Sequence, residues 1–85
     1  MTAALQALYD HTLETRFSAF LMTQDYQTAD GLFTKHLDAL RQTLPPEQKA
    51  ILEKLCDALY EQRDMELEAM FQAAWRVAAE LQSST

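Results

Sequence analysis

Glycine and proline are scarce in this sequence: the 85 residues include one glycine, Gly31, and two prolines, Pro45 and Pro46. Folds with many tight turns, such as β-sandwiches and β-barrels, need more of both, so the shortage excludes them. Phosphate-binding loops need several glycines and are excluded too. Hydrophobic residues make up 48% of the chain, which is too many for a disordered segment. The composition therefore predicts an all-α fold in a single domain over residues 1–85.

Cysteine occurs once, as Cys56, which excludes an intramolecular disulfide and a cysteine-based zinc cluster and suits a reducing compartment. Long apolar runs are missing as well. The uncharged run over residues 17–24 is far shorter than the ~20 residues that span a bilayer. Charged residues also interrupt the region where a secretory signal would lie. We therefore expect a cytoplasmic protein without a membrane partner.

Basic residues are few: 7 Lys and Arg stand against 13 Asp and Glu, which leaves a formal net charge of −6. They are dispersed along the chain, and most have an acidic residue three or four positions away. Binding to a phosphate backbone needs clustered basic residues, so we predict no nucleic-acid partner.

Residues that could carry catalysis or bind a metal are not arranged in a known pattern. Neither histidine belongs to the Glu-x-x-His motif of helical metal sites; His11 precedes Glu14 by three residues, and His36 precedes Asp38 by two. No general base is placed beside Cys56. We predict no catalytic, cofactor-binding or metal-binding residues, no cofactor and no enzymatic activity.

The strongest helix signal is the turn Leu44-Pro45-Pro46-Glu47. Pro46 suits the first turn of a helix, where its missing N–H costs nothing, and Glu47 favours the positive end of the helix dipole. No glycine or proline follows, so the sequence predicts one helix over about residues 46–82.

Apolar residues spaced three and four apart predict two earlier helices, at about residues 3–20 and 24–43. Thr23 is a suitable N-cap for the second, and Gly31 in its middle costs about 1 kcal/mol relative to alanine. Two alternatives stay open: the second helix breaks near Gly31, or the first ends near Asp10 and a connector follows.

The third predicted helix would be about 55 Å long, whereas a compact chain of this size is about 30 Å across. The first two helices together match its length, so the second can form a hairpin with its first half and the first can lie along its second half. This elongated rod leaves apolar surface uncovered, which predicts a homodimer. The alternative is a kink near Arg63 that gives a compact three-helix bundle.

The third predicted helix has two contrasting faces at about 100° per residue. The acidic stripe consists of Glu53, Asp57, Glu61, Asp64 and Glu68. It is either a solvated face or a docking strip for a basic partner. The opposite face is apolar at every position but one and consists of Leu52, Leu55, Leu59, Arg63, Leu67, Met70, Ala74, Val77, Ala78 and Leu81.

Arg63, the exception on that face, has two interpretations. In the first, its aliphatic stem packs where the first two helices meet, and its guanidinium reaches solvent or a carboxylate such as Glu14 or Asp25. In the second, Arg63 marks a binding site for an anion or a partner at that junction. Phe71 and Trp75, one turn apart, form either the core of a contact with the first helix or a self-association patch. The candidate interaction residues are therefore Arg63, Met70, Phe71, Ala74, Trp75 and Ala78.

Three segments resemble a family of small, uncharacterised bacterial helical proteins of unknown function. FQAAWRVAAEL, residues 71–81, is similar to its closing pattern FxxGFRLGxxL; LPPEQKAILEKL, residues 44–55, to its LxxEQxxLxxxL; and LQALYDHTL, residues 5–13, to its opening LxxLYxGxL. The resemblance implies a short first helix, a connector and a hairpin of two longer helices.

The sequence departs from the family pattern at three glycine positions. Ala74 and Ala78 replace two glycines, which relaxes the closest backbone approach, and His11 replaces the glycine that would end a short first helix. The resemblance carries no functional residues over, because the family has no established activity.

Taken together, the sequence predicts a non-enzymatic helical interaction module that self-associates as a homodimer and has room for a further protein partner. The alternative hypothesis is a small acidic regulator that docks its acidic stripe on a basic partner, as an antitoxin or a nucleic-acid mimic would. A metal-binding or small-molecule-binding bundle is a third hypothesis, after these two.

Overall fold

A computed structural model describes residues 1–83 and, over that range, shows three helices and no strand. The predicted all-α class is confirmed. Helix α1 consists of Ala3–Thr12, a π-helical turn over Leu13–Phe17, and Ser18–Leu21. Helix α2 is Gln24–Thr43 and helix α3 is Pro46–Ser83.

The π-helical turn lies where the sequence left helix and connector open. Two threonine hydroxyls donate to carbonyls one turn back, Thr12 to Leu8 and Thr15 to His11, both at 2.8 Å. Such bonds compete with the regular helical ladder and loosen it. The backbone N–H of Ser18 accordingly donates to the carbonyl of Leu13, five residues back. The chain therefore stays helical to Leu21 without a connector near Asp10.

The corner between α1 and α2 is built around Thr23. Its hydroxyl accepts a hydrogen bond from the backbone N–H of Tyr26 at 3.4 Å and donates to the Phe20 carbonyl at 2.7 Å. Gln27 adds a side-chain bond of 2.6 Å to the carbonyl of Leu21. The rings of Phe20 and Tyr26 meet with centroids 5.4 Å apart. Thr23 thus works as the N-cap of α2 and ties it to the end of α1.

The turn into α3 follows from its two prolines. Leu44 has extended backbone angles, φ −97° and ψ 140°, as expected for a residue that precedes proline. The Pro45 carbonyl accepts the first α3 bonds, from the N–H groups of Gln48 and Lys49, both at 3.0 Å. From Pro46 the helix continues without interruption through Arg63.

The chain divides into two units, Met1–Leu52 and Glu53–Thr85. Tyr9 is the buried side chain of the first unit, at 7% exposure, and Cys56 is that of the second, at 6%; no others within residues 1–83 are buried. Many large apolar side chains of both units are exposed instead. With so little interior within residues 1–83, much of the apolar surface of both units stays exposed.

Gly31 lies in the middle of helix α2, and replacing it by alanine tests whether the helix is continuous there. A Cβ built there meets nothing within 4 Å, and the backbone has no positive φ. Gly31→Ala should therefore raise the free energy of unfolding by about 0.5–1 kcal/mol, because alanine loses less backbone entropy on folding. Urea unfolding at fixed protein concentration measures this change. Ala29→Gly, two residues away and also exposed, is the matched control and should lower stability by a similar amount.

None of the helices over residues 1–83 combines the length and the apolar character that crossing a membrane requires.

Candidate functional site

The most prominent surface feature of the second unit is a line of exposed apolar side chains on α3. We define the apolar stripe as Leu55, Leu59, Met70, Val77 and Leu81, which are between 48% and 70% exposed. At about 100° per residue these five side chains fall within an arc of about 80°. They therefore lie on one face of the helix, two of them before residue 60 and three of them from residue 70 onward.

Two charged residues lie within the same arc, Arg63 and Glu66, and both are exposed. The Arg63 side chain is 53% exposed, and its guanidinium lies 3.6 Å from an Asp64 carboxylate oxygen. Its guanidinium carbon also sits 5.2 Å from the ring centroid of Tyr60. The carboxylate beside Arg63 is thus that of its sequence neighbour Asp64, a member of the acidic stripe that was not predicted as its partner. Among residues 1–83, the Glu66 side chain forms no hydrogen bond or ion pair.

Glu66 is the functional candidate that the sequence pattern missed. A spacing of three residues from Arg63 leads to Glu66, and a spacing of four leads to Leu67. Because Leu67 is apolar, the sequence pattern predicts Leu67 as the next position of the apolar face. In the structure Leu67 is half-buried while Glu66 is exposed. The exposure of the two side chains shows that Glu66, and not Leu67, belongs to the exposed face. Helical periodicity alone does not give that exposure.

The candidate interaction residues predicted from sequence do not all share one face. Met70 and Arg63 lie on the side of the apolar stripe, whereas Phe71 and Trp75 lie about 80–140° away by helical periodicity. Ala74 and Ala78, both exposed, fall between these two directions. Phe71 is half-buried and Trp75 is about half exposed. The predicted set therefore separates into a stripe-side group and an aromatic pair.

The acidic stripe forms the flank of α3 that carries this aromatic pair. Four of its members are exposed and Glu68 is half-buried; the exposed ones are Glu53, Asp57, Glu61 and Asp64. Asp64 is the member that lies beside Arg63. By helical periodicity, Phe71 and Trp75 continue the line of these carboxylates toward the C-terminus.

Groups of three or more residues able to hold a metal ion are not found within residues 1–83. Cys56 is a free thiol and is buried. The candidate histidine pairs noted in the sequence are simple surface positions, since His11, Glu14, His36 and Asp38 are all exposed.

Over the described residues 1–83, fold and surface together define an all-α protein of three helices whose longest helix presents an exposed apolar stripe. The chain belongs to a family of unknown function, DUF6809, whose model matches residues 1–83. The resemblance found in the sequence is thereby confirmed at the level of a helical family of unknown function; its bacterial origin stays a prediction. Neither a curated protein nor a solved structure matches the chain.

Proposed function

We propose that this chain is a non-enzymatic interaction module of the cytoplasm that forms a homodimer through the apolar stripe of α3. The observation that carries the proposal is the exposure of all five stripe residues on one arc of the helix. Several large apolar side chains exposed along one face are typical of protein–protein contacts. The free thiol of Cys56 supports a reducing compartment.

The size of the stripe is adequate for a dimer. Burying a fully exposed leucine, methionine or valine contributes about 1.5–3 kcal/mol, so each half-exposed stripe residue contributes roughly 1 kcal/mol when covered. Five such residues on each of two chains give about 10 kcal/mol. Association costs about 4–15 kcal/mol in lost freedom of motion, so the gain and the cost are of similar size. Closer packing or paired charges at the same face then decide the affinity.

Unfolding of a homodimer depends on protein concentration, and that dependence tests the proposal. A tenfold increase in concentration should raise the thermal midpoint by roughly 3–5 °C, since the associated state is favoured by mass action. Circular dichroism over a hundredfold range of concentration measures it. A midpoint that does not change over this range would contradict self-association.

The alternative function, docking of the acidic stripe on a basic partner, is favoured by one observation: its exposed carboxylates share one face. We propose to test it with an oligolysine peptide at low salt. The stripe variant carries Asp57→Asn, Glu61→Gln and Asp64→Asn; the matched control carries Glu14→Gln, Asp30→Asn and Glu80→Gln, which are exposed positions off the stripe.

Both variants remove the same charge, so a general electrostatic effect weakens peptide binding equally in the two. If the acidic stripe is a docking site, the stripe variant should bind the oligolysine peptide clearly more weakly than the control variant does. Equal weakening would remove the acidic stripe from the mechanism.

A further inference from the structure

Two opposite charges, Arg63 and Glu66, interrupt the exposed apolar stripe of α3. Six exposed positions centred on this pair, the last of them just outside the arc of the stripe, are spaced four, four, three, four and four residues apart. These positions are Leu55, Leu59, Arg63, Glu66, Met70 and Ala74. All six are exposed in the second unit. The midpoint of the series lies between Asp64 and Met65.

A symmetric spacing has a direct consequence for pairing with a second copy. If two α3 helices run antiparallel about this midpoint, Leu59 of each copy faces Met70 of the other. Arg63 then faces Glu66 of the second copy, twice in the dimer, because a two-fold axis repeats every contact. Leu55 faces Ala74, a small side chain that lets the helices approach closely.

A parallel pairing in register gives the opposite electrostatic result. Arg63 then faces Arg63 of the second copy and Glu66 faces Glu66, which places like charges together in an otherwise apolar face. Removing charges from water is costly unless they are paired, so only the antiparallel arrangement compensates both residues.

We propose that α3 pairs antiparallel with α3 of a second copy, with Arg63 of each chain bound to Glu66 of the other. This inference rests on the proposed self-association and adds its orientation and register. The charges available fit it: Glu66 has no ion pair within residues 1–83, and Arg63 is half exposed. A guanidinium has five N–H donors, so Arg63 can bind Glu66 of the second copy and still remain beside Asp64.

Charge reversal tests the pairing. Arg63→Glu alone and Glu66→Arg alone each create two like-charge contacts, so each should weaken dimerisation by at least about tenfold. The two variants mixed together should form a heterodimer with wild-type affinity, because opposite charges then meet at both contacts. The double variant Arg63→Glu with Glu66→Arg should also dimerise like wild type. If mixing fails to restore dimerisation, the contact is refuted.

Matched controls for the reversal lie on another face of α3. Lys54→Glu and Glu61→Arg make the same changes of charge at exposed positions outside the arc of the apolar stripe. They should leave the dimer dissociation constant within about twofold. An equally large effect from these controls would show that net charge, and not the pairing of Arg63 with Glu66, governs association.

Orientation is tested by distances between spin labels. Cysteines replace Gln62 or Glu80, one at a time and in a Cys56→Ala background, so that each chain carries one label. In the antiparallel dimer the labels at 62 are about 20 Å apart or less, while those at 80 are about 45 Å apart, since the helix rises 1.5 Å per residue.

Each outcome of the labelling experiment decides something different. Short distances at both positions mean a parallel dimer, which overturns this inference and leaves self-association standing. A monomer mass with no label-to-label distance at either position overturns both. The short distance at 62 with the long distance at 80 is the expected result.

Discussion

Replacing Leu59 and Met70 together by glutamate is expected to convert the protein to a monomer. Both side chains lie on the apolar stripe and are already exposed on the single chain, so glutamate costs little there. In the proposed dimer the same changes place four carboxylates in the contact and remove four apolar side chains from it. The dissociation constant should rise by at least about a thousandfold.

Sedimentation equilibrium measures this change, and circular dichroism follows the helix content in parallel. The matched control is Met65→Glu with Ala69→Glu, which adds the same charge at exposed α3 positions outside the stripe arc and should dimerise normally. Leu59→Met with Met70→Leu keeps the apolar volume and should dimerise normally too. A glutamate variant that remains a dimer would exclude the stripe as the contact.

Tyr9→Ala is expected to lower the free energy of unfolding by about 3 kcal/mol, the second large effect. Tyr9 is 7% exposed and is the largest of the side chains buried within residues 1–83. Truncating a buried aromatic ring removes its burial and leaves a cavity that the surroundings fill only in part. In a chain with so small an interior, this loss is a large share of the total stability.

The measurement is urea unfolding at one fixed protein concentration, so that association contributes equally to every variant. Tyr60→Ala is the control: Tyr60 is exposed, and its ring centroid lies 5.2 Å from the guanidinium carbon of Arg63. We expect it to cost about 1 kcal/mol or less. Equal losses from the two substitutions would show that Tyr9 does not anchor the first unit.

Local signals in the sequence were strong enough to predict the class of the fold. Pro46 and the absence of later glycine and proline indicate the long third helix, and Thr23 indicates the start of the second. Each signal is a property of a few neighbouring residues. The structure has helices at Gln24–Thr43 and Pro46–Ser83 in these places.

The π-helical turn and the position of Glu66 could not be read from such signals. Thr12 and Thr15 mark a weak stretch of helix, but whether it breaks or widens depends on where their hydroxyls bond. Glu66 and Leu67 both fit the spacing after Arg63, and only exposure separates them. The sequence therefore predicts the candidate interaction residues as one patch, although Trp75 and Met70 lie in different directions around α3.

The most direct test of the central claim is the mass of the pure protein in solution. One chain has a mass of 9.7 kDa. If two copies associate through the apolar stripe, sedimentation equilibrium at tens of micromolar should give about twice that mass and should show dissociation on dilution. A single species of one-chain mass at that concentration would contradict the homodimer and, with it, the assignment of the α3 stripe as its contact.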